Sequence, residues 1–224
     1  MDAATLQSRI YKGYGKAAVR LGQMNDVYRP IGAVNPIASA TKLQSLLASF
    51  NAEDWTYTRP NKYGKATWFG LFDATPTKQG DYLVGPQGTF FIAGQQLHLS
   101  ILMVECNRSL ALLRTVAPAN PTGAQPYGGA CITEDVAALG AVNAAGALTA
   151  GWPASVLLGG RVGGSANLPM SAKNAGWQIL LPVSVPVAIH PGDVLLDDLG
   201  RRLIAEACEL TDAGWRINAK EAHT

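Results

Sequence analysis

Between residues 4 and 22 the apolar positions Leu6, Ile10, Tyr14, Ala17, Ala18 and Leu21 recur at steps of three and four. That spacing collects them on one face of a helix despite Gly13 and Gly15, so a helix is predicted over 4–22, ended near Gly22. The stretch YRPIGAVNP follows, where Pro30 and Pro36 prevent regular structure. In SATKLQSLLASFN, Ser39 or Thr41 offers a cap, and Leu43, Leu46, Leu47 and Phe50 form an apolar stripe that predicts a second short helix. From Trp55 onward the pattern changes to short aromatic and β-branched runs separated by Gly, Pro, Asn and Asp, which is the texture of sheet. Strands are predicted at 67–72, 82–84, 89–97 and 100–106, and again at 155–158, 176–181, 194–196, 201–210 and 214–219.

Two segments of this sheet pattern match. GDYLVGPQGTFFIA at 80–93 and GDVLLDDLGRRLIA at 192–205 coincide without a gap at Gly80/Gly192, Asp81/Asp193, Leu83/Leu195, Gly88/Gly200, Ile92/Ile204 and Ala93/Ala205. Each reads as a β-hairpin: Gly-Asp, a short strand, a turn at Gly85-Pro86 or Asp197-Asp198 closed by glycine, and a longer strand. Asp81 and Asp193 are expected to accept hydrogen bonds from nearby backbone amides. One hairpin cannot bury its apolar face, whereas four to six strands curled on themselves can. The predicted fold is therefore mainly β with an N-terminal α-helical segment, and two tandem small β-barrel or sandwich modules related by an internal repeat. The expected organisation is a helical region over 1–52, a first β module over 53–115, a linker and weakly structured Ala/Gly-rich stretch over 116–151, and a second β module over 152–224. The second module carries a glycine-rich loop at 159–176, expected to be a mobile surface loop.

Composition narrows the function classes. Of 224 residues, 48% are apolar and only 15% charged, so much of the surface is expected to face other protein. Eighteen Lys and Arg against sixteen Asp and Glu give a net charge of +2, too small for a general nucleic-acid footprint. The region up to Lys65 is the exception, with nine cations against few acids, a pattern open to DNA or an acidic partner or simply to solvent; no DNA contact is predicted. The N-terminus lacks the apolar core of a signal peptide and no run approaches about 18 apolar residues, so neither export nor membrane insertion is expected. Cys106, Cys131 and Cys208 have no metal-ligand spacing, and Cys106 and Cys208 read as small buried hydrophobes.

The search for chemistry returns structural readings. His98, read in a strand, His190, read in a turn, and His223, in the terminal tail, have no partner at metal-pair spacing. Asp197-Asp198 and Glu134-Asp135 are adjacent carboxylates, better suited to turns than to acid–base work across a pocket. GGRVGGSANLP lacks the lysine and spacing of a phosphate loop. The expectation is a protein with no enzymatic activity, no cofactor and no metal, whose surface is its functional part.

Several segments resemble structural proteins from the virion morphogenesis region of tailed bacteriophages and prophages: YGKAAVRLG, YRP, RPNKYGKATWFGLFD, GDYLVGPQGTFFIA, ILMVECNR, GWPASVLLGG, GWQILLPV and GDVLLDDLGRRLIAEACELTDAGWRI, with the closing AKEA. The similarity covers 7–114 and 152–222, and the second hairpin looks like those of head-completion, or stopper, and other neck proteins. The resemblance implies a virion protein, assembled in the bacterial cytoplasm as a homo-oligomer or in several copies, that joins other virion proteins (portal or adaptor, tail tube, or fibre) at the head-to-tail interface or along the tail. The alternative is a fibre-anchoring or carbohydrate-binding module that uses Trp55, Tyr57, Tyr63 and Trp68 as stacking surfaces. Stoppers have one barrel where two are expected here. Candidate partner contacts are Arg9, Lys12, Lys16 and Arg20 at helical spacing, Arg161 in the glycine-rich loop, and Arg201 and Arg202 beside the second hairpin turn.

Overall fold

Strands buried on both faces need continuous apolar sequence, and three of them organise this molecule. The computed structural model describes residues 2–51, 64–116, 134–159 and 176–222. Helix α1 (Ala3–Leu21) is capped by Asp2, whose carboxylate accepts from the Thr5 amide. Strands β1 (Gln23–Tyr28), β2 (Lys42–Asn51), β3 (Thr67–Leu71), β4 (Tyr82–Gly85), β5 (Gly88–Gly94) and β6 (Ile101–Cys106) close into a six-stranded antiparallel barrel in the order β1-β2-β3-β6-β5-β4. Its interior is filled by Val27, Ala48, Phe50, Phe72, Ala74, Leu83, Phe90, Ile92, Ile101 and Met103, with Phe50 stacked on Phe90.

The remaining strands are β7 (Arg108–Val116), β8 (Glu134–Leu139), β9 (Ala141–Val142), β10 (Leu148–Ala150), β11 (Trp152–Leu158), β12 (Trp177–Leu181), β13 (Val194–Asp197), β14 (Arg202–Thr211) and β15 (Gly214–Glu221). They form a seven-stranded sheet, β11-β12-β15-β14-β13-β7-β8, and a small β9-β10 pair; β7 additionally pairs with β11 through Arg108–Leu110. The larger core lies here, and the barrel's outward residues Tyr82, Phe91, Ala93 and Val104 are part of it. Strands β4, β5 and β6 are thus a party wall, with Leu83, Phe90, Ile92 and Met103 facing the barrel interior and Tyr82, Phe91 and Val104 facing the second sheet. Across it the Tyr82 hydroxyl donates to the Pro153 carbonyl at 2.8 Å and the ring meets Trp152 edge-on. The Trp152 indole N–H in turn donates to the Ala33 carbonyl at 2.7 Å.

Four expectations need correction. The helix predicted over 39–51 is a single 3-10 turn (Ser39–Thr41) followed by β2. Leu46 and Phe50 satisfy a helical and a two-residue period alike, and Leu46, Ala48 and Phe50 all pack on the barrel core, so closure of the barrel selects the strand. The buried face of α1 overlaps the predicted one but is turned from it: Tyr14 and Ala18 meet the barrel as predicted, Gln7 and Tyr11 join them, and Leu6 and Leu21 are exposed. Strands β1 and β8 run through segments expected to be irregular or weakly structured, and β7, in a stretch given no strand and assigned to the first β module, belongs to the second sheet. Finally, the matched hairpins are not gapless. Tyr82 pairs with Phe91 but Val194 pairs with Ile204, so the second turn is one residue longer and Ile204 sits where Phe91 does. Ile92 is buried and Ile204 exposed accordingly.

Candidate functional site

The Gly-Asp positions hold matching polar geometry in the two sheets. Gly80 and Gly192 take φ of 89° and 94°, which admits glycine and strains other residues. The turn they make aims the next side chain inward. Asp81 accepts from the Lys78 amide at 2.8 Å and from Arg29 through Nε at 3.0 Å and Nη2 at 2.7 Å. Asp193 accepts from the His190 amide at 2.8 Å and from Arg114 through Nε and Nη2, both at 3.0 Å. Both carboxylates are buried and both guanidiniums are about one-third exposed. Burial pushes the Asp193 carboxyl upward, but the Arg114 hydrogen bonds, the His190 amide and the nearby positive charge outweigh it and leave it below its ordinary value. The reciprocal bonds raise Arg29 and Arg114. The amide bonds were legible in the Gly-Asp signature. The arginines were not, because they lie 52 and 79 residues away from their aspartates and no local pattern links them.

The candidate contact residues fall into three groups. Arg9, Lys12, Lys16 and Arg20 are exposed along α1, on the side away from Gln7, Tyr11, Tyr14 and Ala18. Arg201 and Arg202 are engaged within the chain. Arg201 bonds the buried Asp197 and lies 4.4 Å over the Trp177 ring, and Arg202 pairs with Asp135 on β8. Arg161 lies outside the described residues, with the rest of 160–175. Of the aromatics weighed as stacking surfaces, Trp55, Tyr57 and Tyr63 also lie outside them. Trp68 is half-buried, its indole N–H donating to Glu105 at 2.8 Å and its ring set edge-on to Phe90.

His98 and His190 have structural partners. His98 is not in a strand but in the β5–β6 loop, at φ 61°, with its amide donating to Gln7 Oε1 at 2.7 Å. His190 Nδ1 lies 3.1 Å from Arg114. Burial pushes the Cys106 and Cys208 thiols up, although both remain partly accessible. Two adjoining crevices open between the barrel and the second sheet. One, of about 250 Å³, is lined by Gln79, Gln95, Gln96, Ser100 and Asp212. The other, of about 170 Å³ and almost wholly apolar, is lined by Phe91, Leu102, Val104 and Trp215. Among the described residues no group of three or more His, Cys, Asp or Glu is placed to hold a metal, and no helix is long and apolar enough to cross a membrane. Comparison of the chain with protein-family models, with curated proteins and with solved structures finds no match in any of the three.

Proposed function

We propose that the chain is a non-enzymatic structural protein of a tailed-phage virion, joining subunits at the head-to-tail interface or along the tail, and that it is built from two copies of one six-stranded unit. The observation that carries the reading is the agreement of strand order and register. The barrel order β1-β2-β3-β6-β5-β4 has its counterpart in β7-β11-β12-β15-β14-β13, and the pairing of β11 with β7 is the contact that would close a second ring. Matching the ladders sets Arg29 on Arg114, Asp81 on Asp193, Ser49 on Ser155 and Trp68 on Trp177. It also sets the bulge after Ile92 on the bulge after Ala205, opposite Met103 and Ala219. Bulges are specific departures from a ladder, so one at the same step in both favours common construction over chance.

A body of this kind suits a scaffold. Its buried carboxylates Asp81, Asp193 and Asp197 are each held by an arginine, and its interiors are packed with side chains. The low charge leaves surface suited to other protein, and the segment resemblance supplies the virion. The test is genetic and visual. Deleting the gene from a phage that encodes the chain should give lysates of unjoined heads and tails, or heads with defective tails, on electron microscopy, with restoration on complementation. Infectious particles of normal shape that lack the chain would end this reading.

A further inference from the structure

The outer face of α1 carries four cations and no carboxylate, since residues 3–21 contain no Asp or Glu. At 3.6 residues per turn, Arg9, Lys12, Lys16 and Arg20 fall within an arc of about 80°, opposite the face that Gln7, Tyr11, Tyr14 and Ala18 present to the barrel, and span about 16 Å. No ion pair engages Lys12, Lys16 or Arg20 among the described residues. Gly13 lies beside this stripe. Glycine is unfavourable within a helix, and Gly15 is explained by the Asp73 side chain, whose Cβ would lie 3.0 Å from an added Cβ. Among the described residues nothing lies within 4 Å of the corresponding point at Gly13, so their packing gives no reason for it. A surface that closely approaches the helix from outside would.

We infer that this outer face of α1 binds the phosphate backbone of duplex DNA without reading its sequence. An acidic protein surface would also be drawn by the charge. A protein interface, however, ordinarily has an apolar or aromatic core with charge at its rim, and here the cations occupy the centre while the exposed apolar side chains Val19 and Leu6 lie at its two edges. Polyelectrolyte binding needs no apolar anchor, because release of condensed counterions drives it, and duplex DNA offers one charge per ~1.7 Å of axis to a stripe of this length. The inference is independent of the virion reading and would stand if that reading failed.

The test uses the full chain and a fluorescein-labelled 24-base-pair duplex of arbitrary sequence, followed by anisotropy from 50 to 200 mM salt. Four phosphate contacts give a slope of log affinity against log salt of about −3.6, a loss of roughly a hundredfold over that range, and a second duplex of unrelated sequence should bind equally. Neutralising two contacts in Lys12→Gln/Lys16→Gln should bring the slope to about −1.8 while the melting temperature and circular dichroism stay unchanged. A wild-type chain with no salt-dependent binding, or a double variant that binds as the wild type does, overturns the inference. So does displacement of the duplex by polyglutamate at equal charge concentration, which would assign the face to an acidic protein.

Discussion

Consider removal of one partner from the second Arg–Asp pair. Arg114→Met would leave the Asp193 carboxylate, only 7% exposed, with the His190 amide as its remaining donor. A buried charge stripped of its partner costs about 3–5 kcal/mol. Asp193→Leu is milder, because Arg114 is 31% exposed and can turn to water. The loss there is the charge-assisted hydrogen bonding, about 1.5–3 kcal/mol. The double variant Arg114→Met/Asp193→Leu leaves neither charge unpaired, so its loss should fall short of the summed single losses by at least about 1 kcal/mol, within the range seen for residues in direct contact. Urea unfolding of the four proteins measures each step. Thermal melts should follow, with about 2–4 °C per kcal/mol for a chain of this size, hence a fall of about 6–20 °C for Arg114→Met. A loss below about 1 kcal/mol in Arg114→Met, or single losses that simply add, would refute the view that this pair holds the turn in place.

Three further outcomes are expected. Because Asp193 is held below its ordinary value, its contribution is complete above the unfolded-chain pKa near ~3.9 and disappears as pH falls through the lower folded value; acid unfolding of Asp193→Asn should therefore show a shallower pH dependence below about pH 4 than the wild type, and identical profiles would count against this. Gly85→Ala should destabilise by about 1–3 kcal/mol in urea, since the added Cβ would lie 2.0 Å from Asn25 Oδ1 and 3.1 Å from the Met24 carbonyl. Tyr82→Phe should cost about 0.5–1.5 kcal/mol by removing the donor to the half-buried Pro153 carbonyl, and an unchanged urea midpoint would mean that the contact across the party wall is dispensable.

The fold was legible where one signal dominated. The strands around YLV, FFIA and ILMV stood out because the party wall requires apolar residues on both faces, and their observed bounds lie close to the predicted ones. Legibility failed where two periods coincided, as in β2, and where a strand carries few strand-forming residues. Gln23–Tyr28 contains only Val27 and Tyr28 of that kind, and its pairing is imposed by β2 and β4 on either side. In α1 the buried face includes Gln7 and excludes Leu6, so the hydrophobicity pattern found Tyr14 and Ala18 but placed the face too far round the helix. The Gly-Asp turns were legible and their arginines were not. The partners of Arg201 and Arg202 differ in legibility: Asp197 is four residues from Arg201, whereas Trp177 and Asp135 are distant in sequence.

If the two sheets are copies of one unit, their differences carry information about which surfaces are in use. The interior positions and the Arg–Asp pairs are common to both, as a shared architecture requires. The outward positions are not. On β5 the outward residues Phe91 and Ala93 are buried against the second sheet, whereas on β14 Ile204 and Glu206 occupy the outward steps and are exposed. The first unit is therefore covered on its β4–β6 wall by the second unit, and the second unit leaves its own corresponding wall open. A chain that covers this wall once, internally, and presents it again uncovered has an unequal pair of surfaces. The open β13–β15 wall, with Ile204 and the Glu206–Lys220 ion pair on it, is then the first place to look for a protein neighbour, distinct from the cationic face of α1 at the other unit.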